Sequence, residues 1–180
     1  LKGRTVPAQE AESVLRDGVG FDGSSIPGYV NIQESDMVMK PDVSTFTVLP
    51  RYFYDKAVVS FLCDILKPNG EYFKGDSRRL CHEKTDEARK AGYEPTAAAE
   101  LEFYLVEKNT SHGLKPVEHR IKENPRYFDI SPNRDITEPY RMDLSDTLTS
   151  MGISVERQHH EVGSAQNEIT FKYSDPVATA

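Results

Sequence analysis

Apolar and polar positions along this chain group into short β-like runs and three helix-like stretches, separated by clusters of turn formers. Pro7 can open a helix that runs to Leu15, because proline lacks only an amide that a first turn leaves unpaired, and Gly18 can close it. The span Gly20-Phe-Asp-Gly-Ser-Ser-Ile-Pro-Gly28 then breaks regularity. After the polar Glu34-Ser35-Asp36, short strands are predicted at Met37–Met39, Thr45–Leu49 and Lys56–Ile65. The last of these is apolar nearly throughout and is expected to be central. Pro68-Asn69-Gly70 turns the chain. Several strands and one helix within the first 75 or so residues predict a small α+β unit.

The pattern changes after Gly75. Arg78–Lys90 is charged, poor in β-branched residues and followed by Gly92, which predicts a helix. Ala97–Val106 reads as a strand, and the polar residues 107–126 as a surface loop or insertion. Ile136–Met151 fits a helix with Leu144, Leu148 and Met151 on one side and Gly152 as its stop. Ile153–Gln158 and Glu168–Tyr173 are two further strands. The whole is an α+β chain without internal repeats or low-complexity tracts.

Charge narrows the function classes. Asp and Glu number 29 against 22 Lys and Arg, a formal charge of -7. That excess argues against a nucleic-acid binder, which carries a basic patch, and leaves carboxylates available to hard cations. No run approaches the length of a membrane helix, and no basic leader precedes a hydrophobic run. Cys63 and Cys81 read as reduced thiols of a cytoplasmic protein, with Cys63 in the apolar core. The chain begins at Leu1 and stops at Pro-Val-Ala-Thr-Ala, ends that predict a piece of something longer.

Four carboxylates stand out. Glu100 and Glu102 lie two apart in a predicted strand, so both take one face, while Ala99, Leu101, Phe103 and Leu105 take the other. A strand this apolar is expected to be central, and its acidic face is then not ordinary solvent surface. Like charges on one face repel each other, a cost that a divalent cation removes. Glu161 and Glu168 are an odd number of residues apart and cannot share a face of one straight strand. A reversal at Gly163-Ser164 makes Val162 to Asn167 the end of a hairpin, with the two glutamates flanking it. Two such pairs on neighbouring strands would surround one cavity with oxygen ligands suited to magnesium or manganese rather than zinc. His159 and His160 point to opposite strand faces, so at most one faces such a site. A glutamate taken alone reads more simply as solvated or salt-bridged. The residues by themselves lead to a candidate acidic metal site in an α+β enzyme.

Phe21-Asp-Gly-Ser-Ser-Ile26, Glu34-Ser-Asp-Met37 and Pro41-Asp42 resemble the amino-terminal domain of glutamine synthetases. Glu100-Leu-Glu-Phe103 resembles that family's first metal-ligand strand. Met151-Gly-Ile, His159-His-Glu-Val162 and Gln166-Asn-Glu-Ile169 resemble its second. The blocks occur in the family's order over nearly the whole chain. The resemblance implies a β-grasp-like domain over residues 1–75 and the first part of a catalytic α/β domain over 76–180. It implies that Glu102, Glu161 and Glu168 hold one Mg2+ or Mn2+ ion near the glutamate γ-carboxylate, and that Glu100 serves a second ion at the ATP phosphates. Asp36 is implied to reach a neighbouring subunit's site and bind ammonium there, in a pocket lined by Tyr127. The implied partners are L-glutamate, ammonium, ATP and further copies of the chain in a double-ringed dodecamer.

Two departures from the family pattern matter. Ala165 stands where the family usually has glycine before the glutamine, which bears on the register of Glu168 if that position has positive φ. The spacing from Glu161 to Glu168 is the short one of archaeal and related members. The family's later blocks, with the histidine ligand, the substrate-gripping arginines and the nucleotide-binding residues, fall beyond Ala180. A paralogue joining glutamate to a polyamine or another amine, and a non-catalytic structural member, stand as alternatives.

Overall fold

A computed structural model describes residues 3–51, 54–109, 113–117 and 135–179. They form two compact units, Leu1–Pro95 and Thr96–Ala180. In the first, α1 (Ala11–Asp17) follows a 3-10 turn at Ala8–Glu10. It ends at Gly18, whose φ of 81° disfavours any side chain. The last carbonyls of α1 are covered locally. Gly18 N donates to Val14 O at 2.9 Å, and Lys40 Nζ donates to Leu15 O at 2.9 Å and also to Arg16 O. The chain continues through β1 (Val19–Asp22), β2 (Asp36–Pro41), β3 (Thr47–Leu49), β4 (Val58–Ser60) and β5 (Cys63–Leu66) to α2 (Ser77–Lys90). An antiparallel sheet of order β1-β2-β5 forms, with β3 and β4 as a separate antiparallel pair.

The apolar run Lys56–Ile65 is therefore two strands in two sheets, not one central strand. The break lies at Phe61-Leu62. Leu62 O accepts from Asp42 N at 2.8 Å, in the register of β2 and β5, while Leu62 N donates to the Thr45 side chain, Oγ1, at 2.8 Å instead of to a strand carbonyl. Apolarity alone does not distinguish one long strand from two short ones that change sheets. Cys63 is half-buried rather than core, and that burial raises its thiol pKa. Helix α2 is tied to β5 by Asp76, only 5% exposed, which accepts from Arg78 N at 3.1 Å as N-cap and from Ile65 N at 3.1 Å. Arg78 also pairs with Asp42 and Asp64.

The second unit contains β6 (Glu100–Tyr104), the antiparallel pair β7 (Val106–Asn109) and β8 (Gly113–Pro116), α3 (Glu138–Ser150), β9 (Val155–His160), β10 (Gln166–Phe171) and the short α4 (Pro176–Thr179). The sheet order is β6-β10-β9, antiparallel throughout. Val106–Asn109 and Gly113–Pro116 are thus paired strands, where the sequence predicts a loop from 107 on; 110–112 and 118–126 lie outside the described residues. The central strand is β10, whose Asn167, Glu168, Ile169 and Thr170 are all buried. Among the described residues β6 pairs on one side only, and Glu100, Leu101, Glu102 and Tyr104 are exposed. Its alternation correctly separates the two faces, but a period of two carries no information about a strand's place in its sheet. Helix α3 packs under β9 and β10. Between β9 and β10 the register shifts after Thr170: Thr170 pairs with Arg157 but Phe171 with Val155, leaving Glu156 as the extra residue of a bulge.

Candidate metal centre

The ladders of β10 bring separate parts of the chain into one row. Glu168 is the direct partner of Glu102 on β6 and of His159 on β9. Thr170 is the partner of Glu100 and Arg157, and Gln166 that of Tyr104. Cross-strand partners share a face, so Glu100, Glu102, His159 and Glu168 all lie on one side of the sheet. Glu161 extends the same side, its N donating to Gln166 O at 2.8 Å.

A tight turn joins β9 to β10. Gln166 N donates to Gly163 O at 3.1 Å across Ser164 and Ala165, which is the reversal that the spacing of the two glutamates requires. Ala165 is fully buried and has φ 56°, the single positive φ among the described non-glycine residues. The register beyond it is nonetheless unbroken: Glu168 still faces Glu102 and His159. Gly163 is needed for closeness. A Cβ there would stand 2.5 Å from Gln166 Oε1 and 2.9 Å from the Tyr104 hydroxyl. Those two groups are bonded to each other, Tyr104 OH donating to Gln166 Oε1 at 3.0 Å, and Gln166 Nε2 donates onward to Glu102 Oε2 at 2.8 Å.

His159, Glu161 and Glu168 each offer one ligand atom, all within 4.8 Å of one another. The imidazole Nδ1 lies 3.4 Å from Glu161 Oε1, and Nε2 lies 3.7 Å from Glu168 Oε1. Burial of Glu168, followed by its hydrogen bond to Glu161 and the charges of Glu100 and Glu161, raises its pKa above the usual range, against the opposing pull of His159. A buried carboxylate short of positive charge, beside a second carboxylate and an imidazole, is a donor set that fits a divalent cation. Glu102 lies on the same face, but its carboxylate is taken up by Gln166, outside the trio. Asp36 is exposed at the start of β2 in the other unit, the direct partner of Asp22 on β1. Tyr127 lies outside the described residues.

His159 is absent from the carboxylate set that the sequence singles out, although the two-face argument for His159-His160 holds. His160 is 1% exposed on the other side, its Nδ1 2.9 Å from Glu161 O. A buried polar network beneath β10 was not legible as such. Asp135, Thr137, Arg141 and Asn167 are each 3% exposed or less. Arg141 donates from Nη1 to Asn167 Oδ1 at 2.6 Å and to Thr137 Oγ1 at 2.9 Å, pairs through Nη2 with Asp135, and donates from Nε to Gln158. Thr137 Oγ1 lies 2.8 Å from Asn167 Oδ1, and Asn167 Nδ2 donates to Ala165 O at 2.9 Å. The signal for this network was Arg141 itself, which precedes Leu144 and Leu148 on the stripe of α3 that faces inward.

Two family models cover almost the whole chain. One, glutamine synthetase β-grasp domain, matches residues 1–68, and the other, glutamine synthetase catalytic domain, matches 74–180. The glutamine synthetase of Halobacterium salinarum is 38% identical over 181 residues, covering 100% of this chain and 39% of that protein. That of Thermus thermophilus is 38% identical over 184 residues, covering 100% and 40%. The chain thus spans about 40% of the length of these curated relatives. Among solved structures, Plasmodium falciparum glutamine synthetase by cryo-EM superposes with TM-score 0.75 at 24% identity, covering 96% of this chain and 38% of that one. Ligand-free GmaS superposes with TM-score 0.80 at 18% identity, covering 97% and 39%. At those identities the two likenesses speak for the fold. Among the described residues no helix is long and apolar enough to cross a membrane.

Proposed function

The chain belongs to the glutamine synthetase family, and on that premise we propose that the protein carrying it joins ammonia to L-glutamate at the expense of ATP. The γ-phosphoryl group of ATP passes to the glutamate γ-carboxylate, giving γ-glutamyl phosphate and ADP. Ammonia then attacks that carbonyl carbon and displaces phosphate, leaving L-glutamine. The observation that carries the reading is the row of Glu102, Glu168 and His159 across three strands, with Glu161 beside it and Glu100 one pair away.

In this reading Glu102, Glu161 and Glu168 hold one Mg2+ or Mn2+ ion, and Glu100 contributes to a second. Such ions neutralise charge on the transferring phosphoryl group and on the carboxylate that receives it. Glu102 reaches its share by exchanging the Gln166 amide for the ion. His159 stands between Glu161 and Glu168 and orients both. Asp36, exposed at the head of β2, binds ammonium and takes its proton in a neighbouring copy's site, which makes assembly part of the function; a dodecamer is the form proposed. The β-grasp domain is proposed to occupy about residues 1–75, with catalytic sequence from 76 onward. A reduced, cytoplasmic setting suits the two free cysteines.

The test is ATP-dependent product formation by the full-length protein with ammonium, and separately with methylamine and a polyamine. Glutamine formation at least ~10-fold more efficient with ammonium supports the reading, a preference of roughly 1.4 kcal/mol in transition-state binding. Preference for a larger amine would make the protein a γ-glutamyl-amine synthetase of the same family. Light scattering that found the active species monomeric would remove Asp36 from its role.

A further inference from the structure

Arg141 and Asp135 are a buried ion pair, and such a pair taken alone is poor evidence for stability, since well-packed apolar residues would serve as well. What distinguishes this one is where its remaining bonds go. The Arg141 guanidinium donates to Asn167 Oδ1 at 2.6 Å, which leaves the amide of Asn167 one orientation. Turned over, its NH2 group would face the guanidinium donors and its oxygen would face the Ala165 carbonyl. In the orientation present, Nδ2 holds Ala165 O, which also accepts from Leu105 N at 2.9 Å. Ala165 is the residue with φ 56°, a conformation an alanine keeps only when its surroundings over-determine it. It lies inside the turn that sets Glu161 beside Glu168.

We propose that Arg141 and Asn167 are positioning residues: the guanidinium orients the Asn167 amide, and the amide holds the Ala165 turn in the conformation that juxtaposes Glu161, Glu168 and His159. The effect on cation binding rests on the reading of Glu161 and Glu168 as ligands; the effect on the turn does not. Asn167 lies between Gln166, which bonds Glu102, and Glu168, so a shift of its backbone moves both carboxylates on the opposite face.

The experiment uses the full-length protein and the variants N167A, N167D, Q158L and N167A/A165G. Three quantities are read: amide hydrogen exchange at Leu105 and Gln166 without metal, Mn2+ affinity, and melting temperature. N167D keeps the acceptor for Arg141 and sets an oxygen where the donor to Ala165 was, so it decides the matter if N167A does not fold. Both are expected to speed exchange at the two amides and to weaken Mn2+ binding by on the order of 10-fold. Q158L removes an Arg141 partner on β9 that does not touch the turn. It is expected to lower the melting temperature while leaving exchange at Leu105 and Gln166 and Mn2+ affinity as in the parent. Adding A165G, which makes the positive φ free of strain, is expected to restore most of the lost affinity to N167A. The proposal is overturned if N167A and N167D exchange like the parent, or if Q158L loses turn protection as much as they do. If the parent binds no Mn2+, the cation reading fails, and the exchange data still decide whether Asn167 holds the turn.

Discussion

Glu168 faces His159 across the β9–β10 ladder with 3.7 Å between Oε1 and the imidazole Nε2, on the side of the sheet that also carries Glu102. A buried acid in that position gains from a bound cation and loses without one. Stability and function should therefore respond in opposite directions to changes in the trio.

Replacing Glu161 by glutamine removes a carboxylate that raises Glu168's pKa. The metal-free E161Q protein is expected to melt at the parent's temperature or higher, because a repulsion has been relieved. Mn2+ affinity should fall by at least ~10-fold, as does binding when even the supports of metal ligands are lost, and glutamine formation should fall with it. A structural role for Glu161 predicts lower stability with metal binding intact. Calorimetric melting and Mn2+ titration on one preparation separate the two.

Ala165 should be improvable. A left-handed alanine is strained by roughly 1–2 kcal/mol, and a glycine there forfeits about 0.4–1 kcal/mol through its freer unfolded chain. The balance for A165G is a gain of about 0.5–1 kcal/mol, measurable as a higher urea midpoint at unchanged slope. A165V adds a β-branch to a fully buried site at positive φ and should cost more than about 2 kcal/mol.

Burial raises the Asp135 pKa, but the hydrogen bonds and charge of Arg141, with those of Thr137, outweigh it and hold the pKa below the usual carboxylate range. The unfolded chain then takes up this proton at higher pH than the folded one. Stability from Asp135 is fully present above the ordinary carboxylate range and is lost as pH falls through the depressed value. D135N should lower stability at neutral pH by about 3–5 kcal/mol, because it leaves the Arg141 charge buried and uncompensated. Its denaturation curves should also depend less on pH in the acid range than the parent's do.

Asp76 joins two elements in the first unit, capping α2 and accepting from Ile65 N on β5. D76A should destabilise by about 1–2 kcal/mol for the cap, and the orphaned Ile65 amide should exchange faster. D76N, which keeps an acceptor oxygen, should recover most of the loss.

The sequence showed the outline of this site better than its support. Two-residue alternation put Glu100 and Glu102 on one face, and the odd spacing of Glu161 and Glu168 demanded a reversal where the turn at Gly163 lies. Both arguments use only local geometry. Strand order is not local. The place of β10 at the centre and of β6 at the side depends on pairings between residues 60 or more positions apart, and the division of Lys56–Ile65 between two sheets depends on bonds from Asp42 and Thr45. The buried network was hidden for another reason. An arginine on the stripe of α3 reads as a break in an apolar face until Asp135, Asn167 and Gln158 are brought to it by the fold.

The bulge at Glu156 makes insertions and deletions in β9 unequal. Removing Glu156 would leave Val155 opposite Phe171 and Arg157 opposite Thr170, a regular ladder with every later side chain on its present face. Removing Gln158, two positions on, would carry Arg157 and Glu156 one step toward the turn while His159 and Glu161 keep their pairing, so that Arg157 and Glu156 change faces. A strand that must keep His159 and Glu161 pointed one way thus has a place where its length can vary without turning them, and it lies upstream of both.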